Sequence, residues 1–345
     1  WSSMILVDGF LVTQEQRGES EAVVAYDSSS GREIWSHDVS ARFTEGIAGA
    51  GPRATPSFSG GRIYAVGGSG LLCCLEAPSG KVLWSHDLVK EAGSAIPHWG
   101  ISSSPLVVGE KVVVFAGKVL AFESSSGKLA WSRDAGKESY SSPQLVRLLG
   151  KPQIVMHDLL KLEGLAVEDG SVLWERPGDG ETAVPMLQPH PVGEGALLVS
   201  TKAGLARLEF KEEQGKWIVA EAWVSRRFTP SFNDFVVHDG HIYGLDNGVL
   251  ACLDARTGER VWKKGRCGYG QVLLLEDQGV LLVLSEEGEL GLVEARPQEP
   301  AEVPLLRAIH GKTWNHLAIA GDRLFVRNAQ EMACFRLAGL QGKAQ

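Results

Sequence analysis

One phrase recurs along the chain at nearly constant spacing. It reads AYDSSSGREIW (25–35), CLEAPSGKVLW (74–84), AFESSSGKLAW (121–131) and CLDARTGERVW (252–262), and a shorter form, LAVEDGSVLW, closes at Trp174. The tryptophans at 35, 84, 131, 174, 223 and 262 stand 39 to 49 residues apart. A period of that length means one supersecondary unit repeated, and a unit of that size cannot bury its own apolar face alone. The fold must therefore stack copies of the unit against one another.

Between the phrases lies a second recurring element: ATPSFSGGRIYAVGGSGLLCCLEA (54–77), SSPLVVGEKVVVFAGKVLAFES (103–124) and, less regularly, FVVHDGHIYGLDNGVLACLDA (235–255). Short runs of β-branched and aromatic residues alternate there with glycine turns, the pattern of antiparallel strands joined by hairpins. With the phrase added, each unit holds four strands, which predicts an all-β chain built as a β-propeller. In the phrase, an acid (Asp27, Glu76, Glu123, Asp254) ends the third strand and can accept amide hydrogen bonds across the turn. Glycine follows (Gly31, Gly80, Gly127, Gly258, and Gly170 in the short form), where the turn needs a positive φ. Tryptophan (Trp35, Trp84, Trp131, Trp174, Trp262) then sits on the outer strand, with on the order of 200 Å² of ring to bury between blades. The phrase is structural and carries no catalytic group.

Composition narrows the function classes. The 345 residues carry a net charge of −8, so nucleic acid is a poor partner, and no apolar run approaches the ~20 residues of a membrane helix. No signal peptide begins at Trp1. Three of the five cysteines, Cys74, Cys252 and Cys334, share one repeat position with Ala25 and Ala121, which predicts small buried packing residues rather than a disulfide framework.

The segment LACLDARTGERVW (250–262) resembles the tryptophan-docking repeat of the PQQ-like β-propellers. That family includes the quinoprotein alcohol dehydrogenases, the outer-membrane assembly lipoprotein of Gram-negative bacteria and many bacterial propellers. The likeness spans essentially the whole chain and lies nearer the assembly-lipoprotein type. It implies a single eight-bladed propeller of four-stranded antiparallel blades over 1–345, at about 1–38, 52–89, 100–135, 140–177, 183–225, 228–264, 268–297 and 313–338. Blade five has a charged outer hairpin, LEFKEEQGKWIVAEAW (208–223), and blade seven ends in Ala295-Arg296-Pro297 where tryptophan would stand. Blade eight lacks an outer strand within this chain. The tail 338–345 is a poor substitute, and in the family that strand would come from upstream of Trp1.

Propeller ligands bind where the inner strands begin. Those starts read GPRATP (51–56), PHWGISSSP (97–105), SYSSP (139–143), RRFTPSF (226–232), CGYGQ (267–271) and KTWNH (312–316). They place Arg53, His98, Trp99, Tyr140, Arg226, Tyr269, Gln271, Trp314 and Asn315 in one candidate ligand-binding set. The plainer alternative is that these groups only satisfy strand-end backbone.

The resemblance raises one chemical question, because the family's dehydrogenases hold a quinone and Ca²⁺ beneath an adjacent-cysteine disulfide. Here Cys73-Cys74 lies inside a strand, LLCCLEA, where successive side chains face opposite ways, and free thiols are expected. Only Asp234 and, more distantly, Glu181 offer carboxylates near the inner-strand starts, too few for that cofactor pair. No catalytic residue and no metal set is assigned. His157-Asp158 has no matching nucleophile, and His37 and His86 share a repeat position. The reading is thus a non-catalytic scaffold or ligand-binding module in a periplasmic or otherwise extracytoplasmic bacterial assembly. Its expected partner is another protein, or a small or polymeric ligand, and neither PQQ nor Ca²⁺ is expected. The alternatives are a PQQ/Ca-dependent dehydrogenase and the sensor domain of a larger receptor.

Overall fold

A computed structural model describes residues 1–136, 138–179 and 185–337. The described chain is all-β and forms an eight-bladed β-propeller. Among the described residues seven sheets have four strands, one has three and a small ribbon has two, and every pairing is between sequence neighbours. Helix among the described residues amounts to one turn, Leu88–Ala92, and a 3-10 turn, Glu276–Gln278. The chain divides into two compact units, Trp1–Gln188 with blades one to four and Pro189–Gln345 with blades five to eight.

Blade one shows how a unit is made. Strand Met4–Val7 turns through Asp8 (φ 47°) and Gly9 (φ 88°) into Phe10–Arg17, the two left-handed residues a two-residue hairpin needs. Ser20–Asp27 and Glu33–Ser40 complete the sheet. The middle strands are apolar on both sides because a blade packs on both faces, so two layers form per inner blade. Cys73 joins Val12, Ala25, Trp35 and Ile63 in the layer between blades one and two. Its neighbour Cys74 faces the other way, into Tyr64, Val66, Val112 and Val114 between blades two and three. Both thiols are unpaired and buried.

An irregularity in the outer hairpin repeats as faithfully as the sequence does. Trp35 pairs with Ala25 but Glu33 with Tyr26, so Ile34 is an extra residue, a β-bulge just before the tryptophan. The same slip precedes Trp84, Trp131, Trp174, Trp223 and Trp262. A bulge bends the strand and re-aims the next side chain. It also leaves the extra residue facing solvent, which explains why Ile34, Leu83 and Val261 are exposed although apolar.

Three features depart from the sequence pattern. Blade seven does not end at Pro297: its fourth strand is the two-residue Leu306–Arg307, which pairs with Leu290 and Glu289. Cys334 is exposed, not buried like its repeat equivalents. It lies on Met332–Arg336, and in its unit no described strand follows to cover that side of blade eight. The third is the helix Leu88–Ala92, inserted after the second copy of the phrase. Asp87 caps it by accepting the Lys90 amide at 3.0 Å, and Leu88 and Ala92 are buried. The tail 338–345 and Glu181 lie outside the described residues.

Candidate functional site

The two ends of each blade are built differently. At the turn end, the acid and glycine of the phrase organise one compact loop. Asp27 accepts the amides of Ser29 and Ser30 at 3.0 and 2.7 Å, and Asp254 those of Arg256 and Thr257 at 2.8 Å each. Glu76 and Glu123 reach serine hydroxyls instead, Ser79 and Ser126. Burial works to raise the Asp254 carboxyl, but the Thr257 and Arg256 amides outweigh it and the net shift is downward. Each glycine closes the loop with its amide on the carbonyl four residues back, Gly80 on Glu76 and Gly258 on Asp254, both at 2.8 Å.

Those glycines also receive the tryptophan of the preceding blade. A β-carbon on Gly80 would stand 2.5 Å from the Trp35 ring, one on Gly127 2.8 Å from Trp84, and one on Gly170 2.6 Å from Trp131. Gly258 meets Trp223 at 2.5 Å in the same way. Glycine is therefore required twice, for its left-handed φ (69° at Gly80) and for the ring lying on its face. The indole N–H then finds the next turn's backbone: Trp35 donates to Ala77 at 2.9 Å, Trp84 to Ser124 at 3.2 Å and Trp262 to Arg296 at 3.2 Å. At Trp223 the matching carbonyl, Ala255, is taken at 2.9 Å by Arg207, the residue cross-strand from Trp223, and the Trp223 N–H is left buried without an acceptor. Trp174 turns back on its own blade and donates to Gln153.

At the leading ends, where the inner strands begin, one contact recurs in the first unit, the amides of Ser3, Thr55 and Ser104 on the hydroxyls of Thr55, Ser104 and Ser142 at 3.1, 2.9 and 2.8 Å, and the larger side chains do not repeat. In the first unit the predicted residues fall into two groups. Arg53 is buried and structural: it donates to the carbonyls of Gly51 and Gly49 (2.8 Å for the latter), stands 3.4 Å from Glu45 and lies over the Phe43 ring at 5.1 Å. Burial lowers its pKa, opposed by Glu45 and Glu21. This side chain braces the ribbon Thr44–Glu45/Gly49–Ala50, while Phe43 fills the space a β-carbon on Gly68 or Gly100 would need. His98, Trp99 and Tyr140 form the second group. The Trp99 ring lies 5.7 Å from His98 and 5.1 Å from Tyr140, and the Trp99 amide donates to the Tyr140 hydroxyl at 3.3 Å. That hydroxyl donates to Glu138, and burial together with this carboxylate holds the phenol well above its usual range.

In the second unit Tyr269, Gln271 and Trp314 come together. Phe232, which the sequence reading passed over, stacks on Tyr269 at 5.5 Å and meets Trp314 edge-on at 4.9 Å. Glu286 brackets the group, accepting the Tyr269 amide at 3.1 Å and the Trp314 indole N–H at 2.9 Å. Gln271 donates to the Trp314 carbonyl at 2.9 Å, and the Lys312 ammonium sits 4.4 Å over the Trp314 ring. Asn315 is buried beside them. Arg226 is exposed on the connection into blade six and is not brought into the cluster by any described contact.

Asp234 is engaged by His190, 2.6 Å from its ring nitrogen, and accepts the Phe235 amide at 2.9 Å. Burial pushes this carboxyl up, but His190 reverses the shift and the net direction is down. His190, Glu138 and Glu286 were missed because each is an ordinary polar residue outside any repeat. For His190 and Glu138 the only signal was adjacency to a strand start, and Glu286, on the turn after Val280–Leu284, offered none.

The remaining histidine and cysteine candidates stay in the scaffold. His157 is buried and lowered by that burial to about 4. Asp158 is spent on the amides of Gly136, Leu160 and Lys161. Burial pushes the Cys73 thiol up to about 12 and that of Cys74 to about 11. Among the described residues no group of three or more His, Cys, Asp or Glu is placed to hold a metal.

Residues 19–264 match the family described as the outer membrane protein assembly factor BamB. Three solved structures share the fold. BamB from Moraxella catarrhalis superposes with a TM-score of 0.68 at 15% identity, covering 96% of this chain and 94% of that one. The computationally designed Ika8 protein gives 0.65 at 10% identity, with 97% and 96% covered. The quinohemoprotein alcohol dehydrogenase from Comamonas testosteroni gives 0.65 at 14% identity, with 94% of this chain and 69% of that one covered. No curated protein is significantly similar in sequence.

Proposed function

The chain belongs to the family of the outer membrane protein assembly factor BamB, and on that premise we propose that it is a non-catalytic propeller holding a protein partner within an extracytoplasmic assembly. The observation that carries this reading is the state of the leading ends. In the second unit their acids are spent inside the protein, Asp234 on His190 and Glu286 on Tyr269 and Trp314, while the Tyr269 face remains accessible beside them. Tyr269 is 45% exposed, large for an aromatic held in place on both sides. Preorganised aromatic side chains of this kind are what protein interfaces concentrate.

A quinone with Ca²⁺ does not fit the described residues. Ca²⁺ needs several hard oxygen ligands together, whereas among the described residues no three carboxylate, His or Cys groups converge, and Asp234 is already held by an imidazole. Asn233, beside it, donates its amide to the Gly270 carbonyl at 2.5 Å. Cys73 and Cys74 face different layers of the core and cannot bridge without breaking both.

The test is purification of the tagged full chain from the envelope of cells that carry it, alongside incubation of the pure protein with pyrroloquinoline quinone and Ca²⁺. A protein partner is expected to co-elute at constant ratio through two chromatographic steps, with no quinone-dependent dye reduction by alcohols. Dye reduction that requires both quinone and Ca²⁺ would overturn the reading.

A further inference from the structure

We infer that Trp99, Tyr140 and Glu138 form a receptor for an arginine side chain on an extended segment of a partner polypeptide. The inference rests on the interaction reading above and names the chemistry of one contact. Its warrant is a comparison inside the molecule. In the second unit an aromatic group at the inner-strand starts carries an acid on its polar edge and a cation on its face: Trp314 donates to Glu286, and the chain's own Lys312 lies 4.4 Å over the ring. In the first unit the same parts are present save one. Trp99 and Tyr140 lie 5.1 Å apart at 47°, and the Tyr140 hydroxyl donates to Glu138. No lysine or arginine among the described residues lies over either ring, and His98 meets Trp99 only edge-on at 5.7 Å.

The physical case for arginine has three parts. A planar guanidinium gains from an aromatic face and pairs at its edge with a carboxylate, and two tilted rings beside an acid offer both at once. Glu138 has spent one oxygen on Tyr140, and its other oxygen takes no hydrogen bond from the described residues. The raised pKa of Tyr140 keeps its hydroxyl a donor to Glu138, which fixes the carboxyl group beside the rings. Residues 1–188 carry 22 Asp and Glu against 16 Lys and Arg, whereas 189–345 carry 20 against 18. The field of the first unit thus favours a cationic partner more strongly than that of the second.

The experiment is a titration of the full chain, labelled with ¹⁵N at tryptophan, by the peptide acetyl-Gly-Gly-Arg-Gly-Gly-amide. The indole resonance of Trp99, assigned with Trp99→Phe, should move and saturate, while that of Trp314, already covered by Lys312, stays in place. The citrulline peptide should bind about tenfold more weakly, because it keeps the shape and loses the charge. Glu138→Gln should weaken the arginine peptide about five- to tenfold with the other indole resonances unmoved, which shows that the fold is kept. Lys128→Gln, in a turn-end loop, should leave the titration unchanged. Failure of Trp99 to respond, equal binding of citrulline, lysine and arginine peptides, or N-acetylarginine amide binding as tightly as the peptide would each overturn the inference. A partner that co-purifies while this titration fails defeats the arginine receptor and leaves the interaction reading standing. The reverse pair of results defeats the interaction reading alone.

Discussion

The turn end and the leading end of the same blades differ in how much of their side-chain packing repeats. At the turn end one contact is repeated, tryptophan on the next blade's glycine, joined at Trp35 and Trp84 by the indole N–H on that turn's backbone. At the leading end the first unit repeats one backbone contact, the amides of Ser3, Thr55 and Ser104 on the hydroxyls of Thr55, Ser104 and Ser142, but the larger side chains do not repeat: Arg53 braces a ribbon, Glu286 brackets an aromatic cluster, and Asp234 pairs with His190. A repeated contact is constrained by geometry common to all blades, so it serves the scaffold. An unrepeated one is free of that constraint, and there each unit has its own chemistry.

The turn end should break hardest. Trp262→Ala removes a ring that is 3% exposed and its hydrogen bond to Arg296, and should cost about 3–5 kcal/mol in chemical denaturation. Unchanged unfolding would mean that the repeated phrase does not hold the blades.

Next in size comes a comparison that separates packing from backbone strain. Gly80 and Gly31 share nearly the same φ, 69° and 70°, but a β-carbon would meet Trp35 at Gly80 and nothing within 4 Å at Gly31. Gly31→Ala should cost only the left-handed term, about 1–2 kcal/mol. Gly80→Ala should add about 1–3 kcal/mol of overpacking. Equal losses from the two would show that the ring contact carries no energy.

The scaffold was legible in the sequence and most of the candidate site was not, for one physical reason. The acid, glycine and tryptophan recur, and recurrence exposes a contact even when its partner lies some 45 residues away. The bulge before each tryptophan was invisible because a two-residue period read from sequence does not register one extra residue. Blade seven's outer strand, two residues beyond a proline-rich loop, has no pattern to find. At the leading ends, strand starts located Tyr269, Gln271 and Trp314 together and Trp99 beside Tyr140. They could not show that Arg53 points into a ribbon, or that Glu138 and Glu286 hold the rings.

A smaller effect tests the acid of the turn. The pKa of Asp254 is lowered in the folded state, so its contribution is present above the unfolded value of about 3.9 and is lost as pH falls through the folded one. The stability gap between the parent and Asp254→Asn, measured by thermal melts, should be constant near neutrality and should close in acid below about pH 4. A gap that widens in acid would reverse the assigned shift.

The division between scaffold and working surface is tested most directly by the thermal and denaturant unfolding of Trp99→Ala, with the arginine peptide titrated into the same preparation. Trp99 is half-buried and packs on Tyr140 alone among the phenol and indole rings around it. The account predicts a stability loss of about 1 kcal/mol or less, together with loss of peptide binding. A loss as large as that of Trp262→Ala would contradict it, because the leading end would then be as much a part of the scaffold as the turn end.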